Sequence, residues 1–561
     1  MHNQINFFYL EFKEYIDYQK KQYLINKYRN LYLLIRKKII RNKEENIFMK
    51  DYRNITKFVK KNNENYIQRN INNSIFNDIN GFKLDDNQRR AILCDEINTL
   101  IIAGAGSGKS LTLIGKIKYL IEIKKIKPEH ILCISFTNDS CNSLKDKLFY
   151  NVDVLTFHKL AMKILKKNNY LITTISLDYV VDEYFASIIL TKPVMVRIVL
   201  KICGYKDNQL SIYEQIINSN QIKSLKRTII SFINLFKANN YAFNYLRKIK
   251  NSKNKYLLYL IMDIYTLYQQ ELRSQNEIDF NDMINCATEK IKKKKINLHY
   301  KYIIIDEFQD TSYTRYKLVK EIIKYGGSKL IAVGDDWQSI YGFTGCDVDI
   351  FINFEKYFGY TQKIYINNTY RNSQQLIDVA GKFIMQNRKQ IKKQLKSVKS
   401  IDKPIKIIYE TNNVLENIID YICRSNKKEI LILGRNNKDI FKYLNGNFTY
   451  SNSYIIYRKK SDIQIRYLTV HKSKGLEADC VIVINLIDGL LGFPCKQQDD
   501  EILKKVKRVK ESKYGDERRL FYVALTRTKS NVYLIIPSQN YSCFVKEIIK
   551  KNKKFIEIIK L

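Results

Sequence analysis

The stretch Asn98–Ser110, NTLIIAGAGSGKS, constrains this chain more than any other. A short apolar run (Leu100, Ile101, Ile102) enters a glycine-rich turn and leaves through Lys109 and Ser110 into a segment with apolar residues at Leu111, Leu113, Ile114, Ile117 and Leu120. That pattern is strand, phosphate loop, helix. Glycines let successive backbone N–H groups curl around a phosphate without Cβ clashes, and the helix N-terminus behind them adds roughly half a positive charge. Ala103, Gly104, Ala105, Gly106, Ser107 and Gly108 would form the cradle, with Ala103 standing where the strict motif has glycine. Lys109 would reach the β- and γ-phosphates of a nucleoside triphosphate, and Ser110 would hold Mg²⁺.

A phosphate loop needs a metal-holding carboxylate and a base, and YIIIDEFQD at Tyr302–Asp310 supplies both. Four apolar residues suit a strand buried on both faces, which delivers Asp306 and Glu307 to its C-terminal end, where α/β ligand sites form. Asp306 would hold Mg²⁺; Glu307 would orient and deprotonate the attacking water. From Lys83 onward short apolar runs alternate with helical patterns, which predicts an α/β fold of parallel strands and crossover helices. Strands are expected at 99–103, 131–136, 302–306, 329–333, 363–366, 429–433, 466–470, 480–485 and 531–536. Between about 160 and 270 the pattern Ile222, Leu225, Ile229, Phe232, Phe236 marks a helical insertion instead. Two α/β halves result, 81–355 and 356–561. Residues 1–80 form a basic helical extension: Leu24, Tyr28, Leu31, Ile35 and Ile39 recur at core-facing spacing, which favours a helix packed on the body over a dedicated DNA arm. The Asn-rich stretch 62–80 suggests a linker.

The 97 Lys and Arg against 56 Asp and Glu leave a formal net charge of +41, which points to a polyanionic partner, although a Lys-, Asn-, Ile- and Tyr-rich composition could itself carry part of that excess. The 10 cysteines include no C-x-x-C pair, so neither a zinc site nor a disulfide framework is expected and a reducing compartment fits. The N-terminus has no signal-peptide pattern, and the longest apolar stretch, 481–494, is interrupted by Asn485 and Asp488 and too short for a bilayer. The expectation is a soluble, intracellular protein, cytoplasmic or wherever its host keeps DNA, with no membrane partner.

Taken in order, further segments carry a resemblance to the UvrD/Rep group of superfamily-one DNA helicases. KLDDNQRRAI at 83–92 resembles the adenine-sensing Q motif, with Gln88 as base reader. Residues 103–110 are its motif I, Ser135–Asn138 and Leu155–His158 resemble motifs Ia and Ib, and Ile278–Phe280 precedes the Asp-Glu strand as in that family. Val333–Phe343 resembles motif III, Asn368–Arg371 motif IV, Leu468–Glu477 motif V and Asp516–Arg527 motif VI. The resemblance implies two RecA-like P-loop NTPase domains with ATP between them, hydrolysed with Mg²⁺. It casts Gln338 as γ-phosphate sensor, Arg371 and Arg527 as arginine fingers and Glu477 as ribose ligand. It also implies movement on single-stranded DNA and tailed duplexes, 3′ to 5′, by a chain compatible with a monomer, in repair, replication or recombination.

On the DNA side, Trp337, Tyr341 and Phe343 offer rings for sequence-independent stacking. Thr137, Asn138, Phe157, His158, Thr469 and His471 resemble the family's backbone and base contacts. Two departures stand out. Thr344 occupies a position where many relatives have arginine, and the interval between Arg371 and Thr469 leaves little room for the accessory domain of larger relatives, so that domain is expected to be absent or reduced. Competing readings are an ATPase of this fold that remodels a protein–nucleic acid complex such as RNA polymerase, and a DNA-binding protein with a decayed motor. The intact Lys109, Asp306, Glu307, Gln338, Arg371 and Arg527 speak against the second.

Overall fold

The computed structural model describes residues 1–560 except 166–170, 174, 206–209, 250–253, 426, 461, 498–499 and 509–512. The chain builds two sheets. Strands β1 (Asn98–Ala103), β2 (Ile131–Ser135) and β3 (Asp153–Thr156) come first; β4 (Leu171–Ile172) and β5 (Glu277–Ile278) pair only with each other. β6 (Tyr302–Ile305), β7 (Lys329–Gly334) and β8 (Gln362–Ile366) complete a six-stranded sheet in the order β3-β2-β6-β7-β1-β8. All its pairings are parallel, as near-continuous apolar runs covered by helices on both faces require.

The second sheet takes β9 (Ile405–Tyr409), β10 (Glu429–Gly434), β11 (Phe448–Ser451), β12 (Tyr454–Tyr457), β13 (Gln464–Thr469), β14 (Cys480–Val483), β15 (Val532–Ile536) and β16 (Ile556–Ile559). Its order is β11-β12-β13-β10-β14-β15-β9-β16, parallel from β13 to β16 and ending in the antiparallel β11–β12 hairpin. The nine strands expected from sequence all form. Those missed are short (β3 to β5), amphipathic (β9, β16) or a hairpin edge whose residues alternate between buried and exposed.

Three expectations change. The strand at 362–366 pairs with β1 in the first sheet, beyond the boundary expected near 355; as an edge strand with polar outward positions it gives little sign of which sheet it joins. Residues 62–80 are not a linker: one helix runs Ile55–Asn70, and Ile75 and Phe76 are buried against the first half. Residues 1–60 are a small domain of several helices with its own core (Phe8, Phe12, Leu24, Phe48, Val59) rather than one helix lying on the body. Leu24, Tyr28, Leu31 and Ile35 are buried as their spacing predicts, whereas Ile39 is wholly exposed because its helix ends at Arg36.

The insertion between β3 and β6 is helical, apart from β4 and β5, and its core includes Val180, Tyr184, Ile229, Phe232 and Ile261. Lys237 closes its base, donating to Asp282 at 2.7 Å and also to Asp279. A strap from the second half inserts Ile502, Leu503 and Val506 into that same core. Among the described residues, every strand between Arg371 and Thr469 pairs into the second sheet, and no helix is long and apolar enough to cross a membrane.

Candidate active site

The phosphate loop follows β1, and its helix starts at Lys109. Gly106 (φ +69°) and Gly108 (φ +77°) sit in the left-handed region, where a side chain would strain the backbone. Space is also closed to them: a Cβ on Gly108 would lie 2.6 Å from Gln88 Nε2, and one on Gly106 would lie 2.5 Å from Arg371 Cβ. Gln88 abuts the loop because it belongs to a capping box with Asp85, and its Nε2 donates to the Ser107 carbonyl at 3.2 Å. Ser107 Oγ is buried with no partner, a donor left free inside the cradle. Ala103 ends β1 with its methyl in the core beneath, so no glycine is needed there.

Asp306 and Glu307 follow β6. Lys109 Nζ lies 2.9 Å from Glu307 Oε1; Lys474, from the second half, pairs with Asp310 and donates to the Gln338 carbonyl at 2.8 Å. Burial and the neighbouring Glu307 raise the Asp306 carboxyl to about 6. Burial pushes Glu307 the same way, but Lys109 and Lys474 outweigh it and hold that carboxyl down at about 2. Glu307 also has φ +50°, a conformation that a non-glycine residue keeps only when its surroundings impose it. Gln309 does so in part, donating to Glu307 Oε2 while its carbonyl oxygen accepts from the Asp335 N–H at 2.9 Å. Among the described residues no three His, Cys, Asp or Glu cluster as a metal site. The exposed Ser110 hydroxyl and the Asp306 carboxylate are hard oxygen donors. They suit a Mg²⁺ that takes its remaining ligands from water and phosphate.

The second half closes the other wall. Arg527, 1% exposed, donates from Nη2 to Gln338 Oε1 at 2.8 Å, and Gln338 Nε2 donates to Asp335 Oδ2 at 2.6 Å. Burial and nearby Arg371 pull the Arg527 guanidinium down to about 9. Arg371 donates from Nε to Glu477 at 2.7 Å, so the expected finger and the expected ribose ligand are paired with each other here. Tyr370, just before Arg371, donates its N–H to the Gly106 carbonyl at 2.9 Å and its hydroxyl to Asp85 at 2.7 Å.

The expected nucleic-acid residues divide. Tyr341 and Phe343 from the first half meet His471 from the second: Tyr341 OH donates to the His471 carbonyl at 3.2 Å, and Phe343, 57% exposed, stands edge-on to its ring at 5.4 Å. Thr137 and Asn138 are exposed at the start of a helix that Thr137 caps, and Thr469 ends β13 two residues before His471. His158 packs against Phe280, 56% exposed, at 4.8 Å between ring centres. Burial, then Arg315 and Arg435 respectively, pushes His158 and His471 down to about 4. Two assignments are corrected. Trp337, 2% exposed, is wedged edge-on against Tyr522 with its indole N–H on the Ile391 carbonyl, so its faces are not offered to a base. Phe157 is likewise buried, edge-on to Phe136 in the first half's core. Sequence reasoning missed Tyr370, Lys474, Lys393 and Phe280 as members of the site. Tyr370, Lys474 and Phe280 lie inside the motif segments, but nothing local marks Lys393.

Residues 84–359 match the model of the UvrD/REP helicase N-terminal domain, and residues 451–539 match that of the UvrD-like helicase C-terminal domain. The chain is 27% identical to DNA helicase IV of Escherichia coli over 85% of its own length and 71% of that protein. It is 30% identical to ATP-dependent DNA helicase Rep of Buchnera aphidicola over 58% of its own length, and 25% identical to ATP-dependent DNA helicase PcrA of Staphylococcus epidermidis over 70%. It spans about half the length of those two relatives, 47% and 50%. The two domain models bracket the cleft, one supplying Lys109, Asp306, Glu307 and Gln338 and the other Lys474, Glu477 and Arg527, and the chain belongs to the UvrD/Rep helicase family.

Proposed function

We propose that this protein is an ATP-dependent DNA helicase that translocates 3′ to 5′ on single-stranded DNA and separates tailed duplexes. The observation that carries this reading is the two-sided cleft, where Gln338 of one half and Arg527 of the other meet at 2.8 Å beside Lys109 and Glu307. ATP would seat its phosphates in the loop from Gly104 to Lys109, drawing Lys109 from Glu307, with Gln88 and Tyr370 flanking the base. Mg²⁺, held through Ser110 and Asp306, would neutralise charge on the β- and γ-oxygens. Glu307 stays ionised at neutral pH and can orient the attacking water and accept its proton. Arg527 and Arg371 would face the γ-phosphate, a contribution of about 10³- to 10⁵-fold in rate for such fingers.

The same closure bears on DNA. Lys474 pairs with Asp310 across the cleft while His471, three residues earlier, meets Tyr341 and Phe343, so closure of the cleft on ATP would shift the aromatic face. Stacking there on Tyr341 and Phe343, with Thr137, Asn138, His158, Phe280, Thr469 and His471 lining the strand's path, is sequence-independent. Strand displacement on duplexes with a 3′ or a 5′ single-stranded tail tests the reading. ATP-dependent displacement from the 3′ tail supports it; displacement from the 5′ tail alone overturns the polarity, and ATP turnover with no displacement from either favours a remodeller of protein–nucleic acid complexes.

A further inference from the structure

Between β8 and β9 two short segments, 369–371 and 393–395, lie along the phosphate loop. Lys393 Nζ donates to the Ala103 carbonyl at 3.2 Å, and the Leu395 side chain fills the space over Gly104. Thr369 Oγ1 donates to the Ala105 carbonyl at 2.7 Å, and the Tyr370 N–H to that of Gly106. Lys393 does more than touch the loop. Its ammonium pairs with Asp335 and, at 2.7 Å, with Asp336, all three side chains being at most 1% exposed. The same ammonium sits 4.8 Å from the centre of the Trp337 ring.

Two adjacent buried carboxylates cannot both stay ionised without a counter-charge. Among the described residues Lys393 is the cation within ion-pair reach of both. Asp336 has other donors, Gln390 Nε2 and the Ile391 N–H, and burial still raises its carboxyl. Asp335 takes the Gln338 amide, and that fixes the polarity of Gln338. An ionised carboxylate can only accept and a guanidinium can only donate, so Gln338 must point its NH₂ at Asp335 and its carbonyl at Arg527. Were Asp335 protonated, it could donate to Gln338, the amide could turn over, and its NH₂ would face a donor-only arginine.

We propose that Lys393 is a positioning residue for ATP hydrolysis: by keeping Asp335 ionised it sets the orientation of Gln338 toward Arg527, and by holding the Ala103 carbonyl it ties that setting to the phosphate loop. The inference rests on the ATPase reading above. It predicts that Lys393 matters for sensing the γ-phosphate and not for binding the rest of the nucleotide.

The test uses the full-length protein, a fluorescent non-hydrolysable ATP analogue and the matching fluorescent ADP. In Lys393→Met the triphosphate affinity falls about 10- to 100-fold, the range for losing a hydrogen bond to a charged group, while ADP binds within about twofold of wild type. Adding Lys393→Met to Gln338→Ala causes little further loss of triphosphate affinity. An unchanged triphosphate-to-diphosphate ratio in Lys393→Met, or losses that add in the double variant, would overturn the assignment. If Lys393→Met melts far below wild type, Asp335→Asn, which removes the charge but keeps the shape, must show the same selective loss; an unchanged ratio there overturns it equally. A wild-type protein that binds no nucleotide contradicts the ATPase reading itself, and that result appears before any variant is made.

Discussion

The nucleotide cleft and the aromatic face are neighbours built on opposite principles. In the cleft nearly every polar side chain already has a partner: Lys109 with Glu307, Lys474 with Asp310, Arg371 with Glu477, Arg527 with Gln338, Lys393 with Asp335. Outside the cleft the half-exposed rings Phe343 and Phe280 each stand against a histidine kept neutral by burial, His471 and His158 respectively. A ligand entering the cleft must exchange one set of charge pairs for another, which suits a switch. A strand crossing the face meets surfaces indifferent to its sequence, which suits a track.

That contrast orders the expected effects. Lys109→Ala removes the group proposed to reach the β- and γ-phosphates and is expected to lower ATP turnover about 10²- to 10³-fold with DNA binding retained, measured by phosphate release beside a DNA-binding titration. Turnover near wild type would break the phosphate-loop assignment. Arg527→Ala is expected to lower kcat about 10³-fold or more while ATP still binds, as for a finger that acts in the transition state. A rise in KM with kcat intact would instead make Arg527 a binding residue.

The face itself is sharpened by a pair of variants. Tyr341→Ala is expected to weaken single-stranded DNA binding by roughly 5- to 150-fold, the equivalent of about 1–3 kcal/mol for one stacked base, and to uncouple turnover from strand displacement. Trp337→Phe leaves the Ile391 carbonyl without its donor, so thermal unfolding is expected to register a loss of about 1–3 kcal/mol with DNA affinity unchanged. The reverse outcome, DNA affinity lost at Trp337 and kept at Tyr341, would put the track elsewhere. Smallest is the effect of pH. His158 and His471 titrate at about 4, so lowering the pH from 8 to 6 adds no charge to either. DNA affinity is therefore expected to stay flat over that range, and a marked rise toward pH 6 would show that a histidine on the face is charged in the complex.

How much of this was legible in the sequence follows from the range of each interaction. Phosphate loop, Asp-Glu strand and helical insertion are local patterns, and all three form where periodicity and turn chemistry put them. Gln338 and Arg527 could be assigned a shared site only through the family resemblance, since 189 positions separate the two residues that meet at 2.8 Å. Trp337 misled because an aromatic residue beside a site carries no sign of whether its ring faces the ligand or the core; burial against Tyr522 decides that. Lys393 is one of 97 basic residues, and its importance comes from two buried aspartates more than fifty positions away. The edge strand β8 was placed in the wrong half because strand pattern does not say which sheet a strand joins.

The coupling of cleft to face is tested most directly by steady-state ATP turnover of the full-length protein with and without single-stranded DNA. If, as proposed, a strand on Tyr341 and Phe343 stabilises the arrangement in which Arg527 meets Gln338, turnover rises about tenfold or more with DNA, and that response is lost in Tyr341→Ala while the DNA-free rate holds. Turnover that is the same with and without DNA would contradict the claim that the two regions act as one motor.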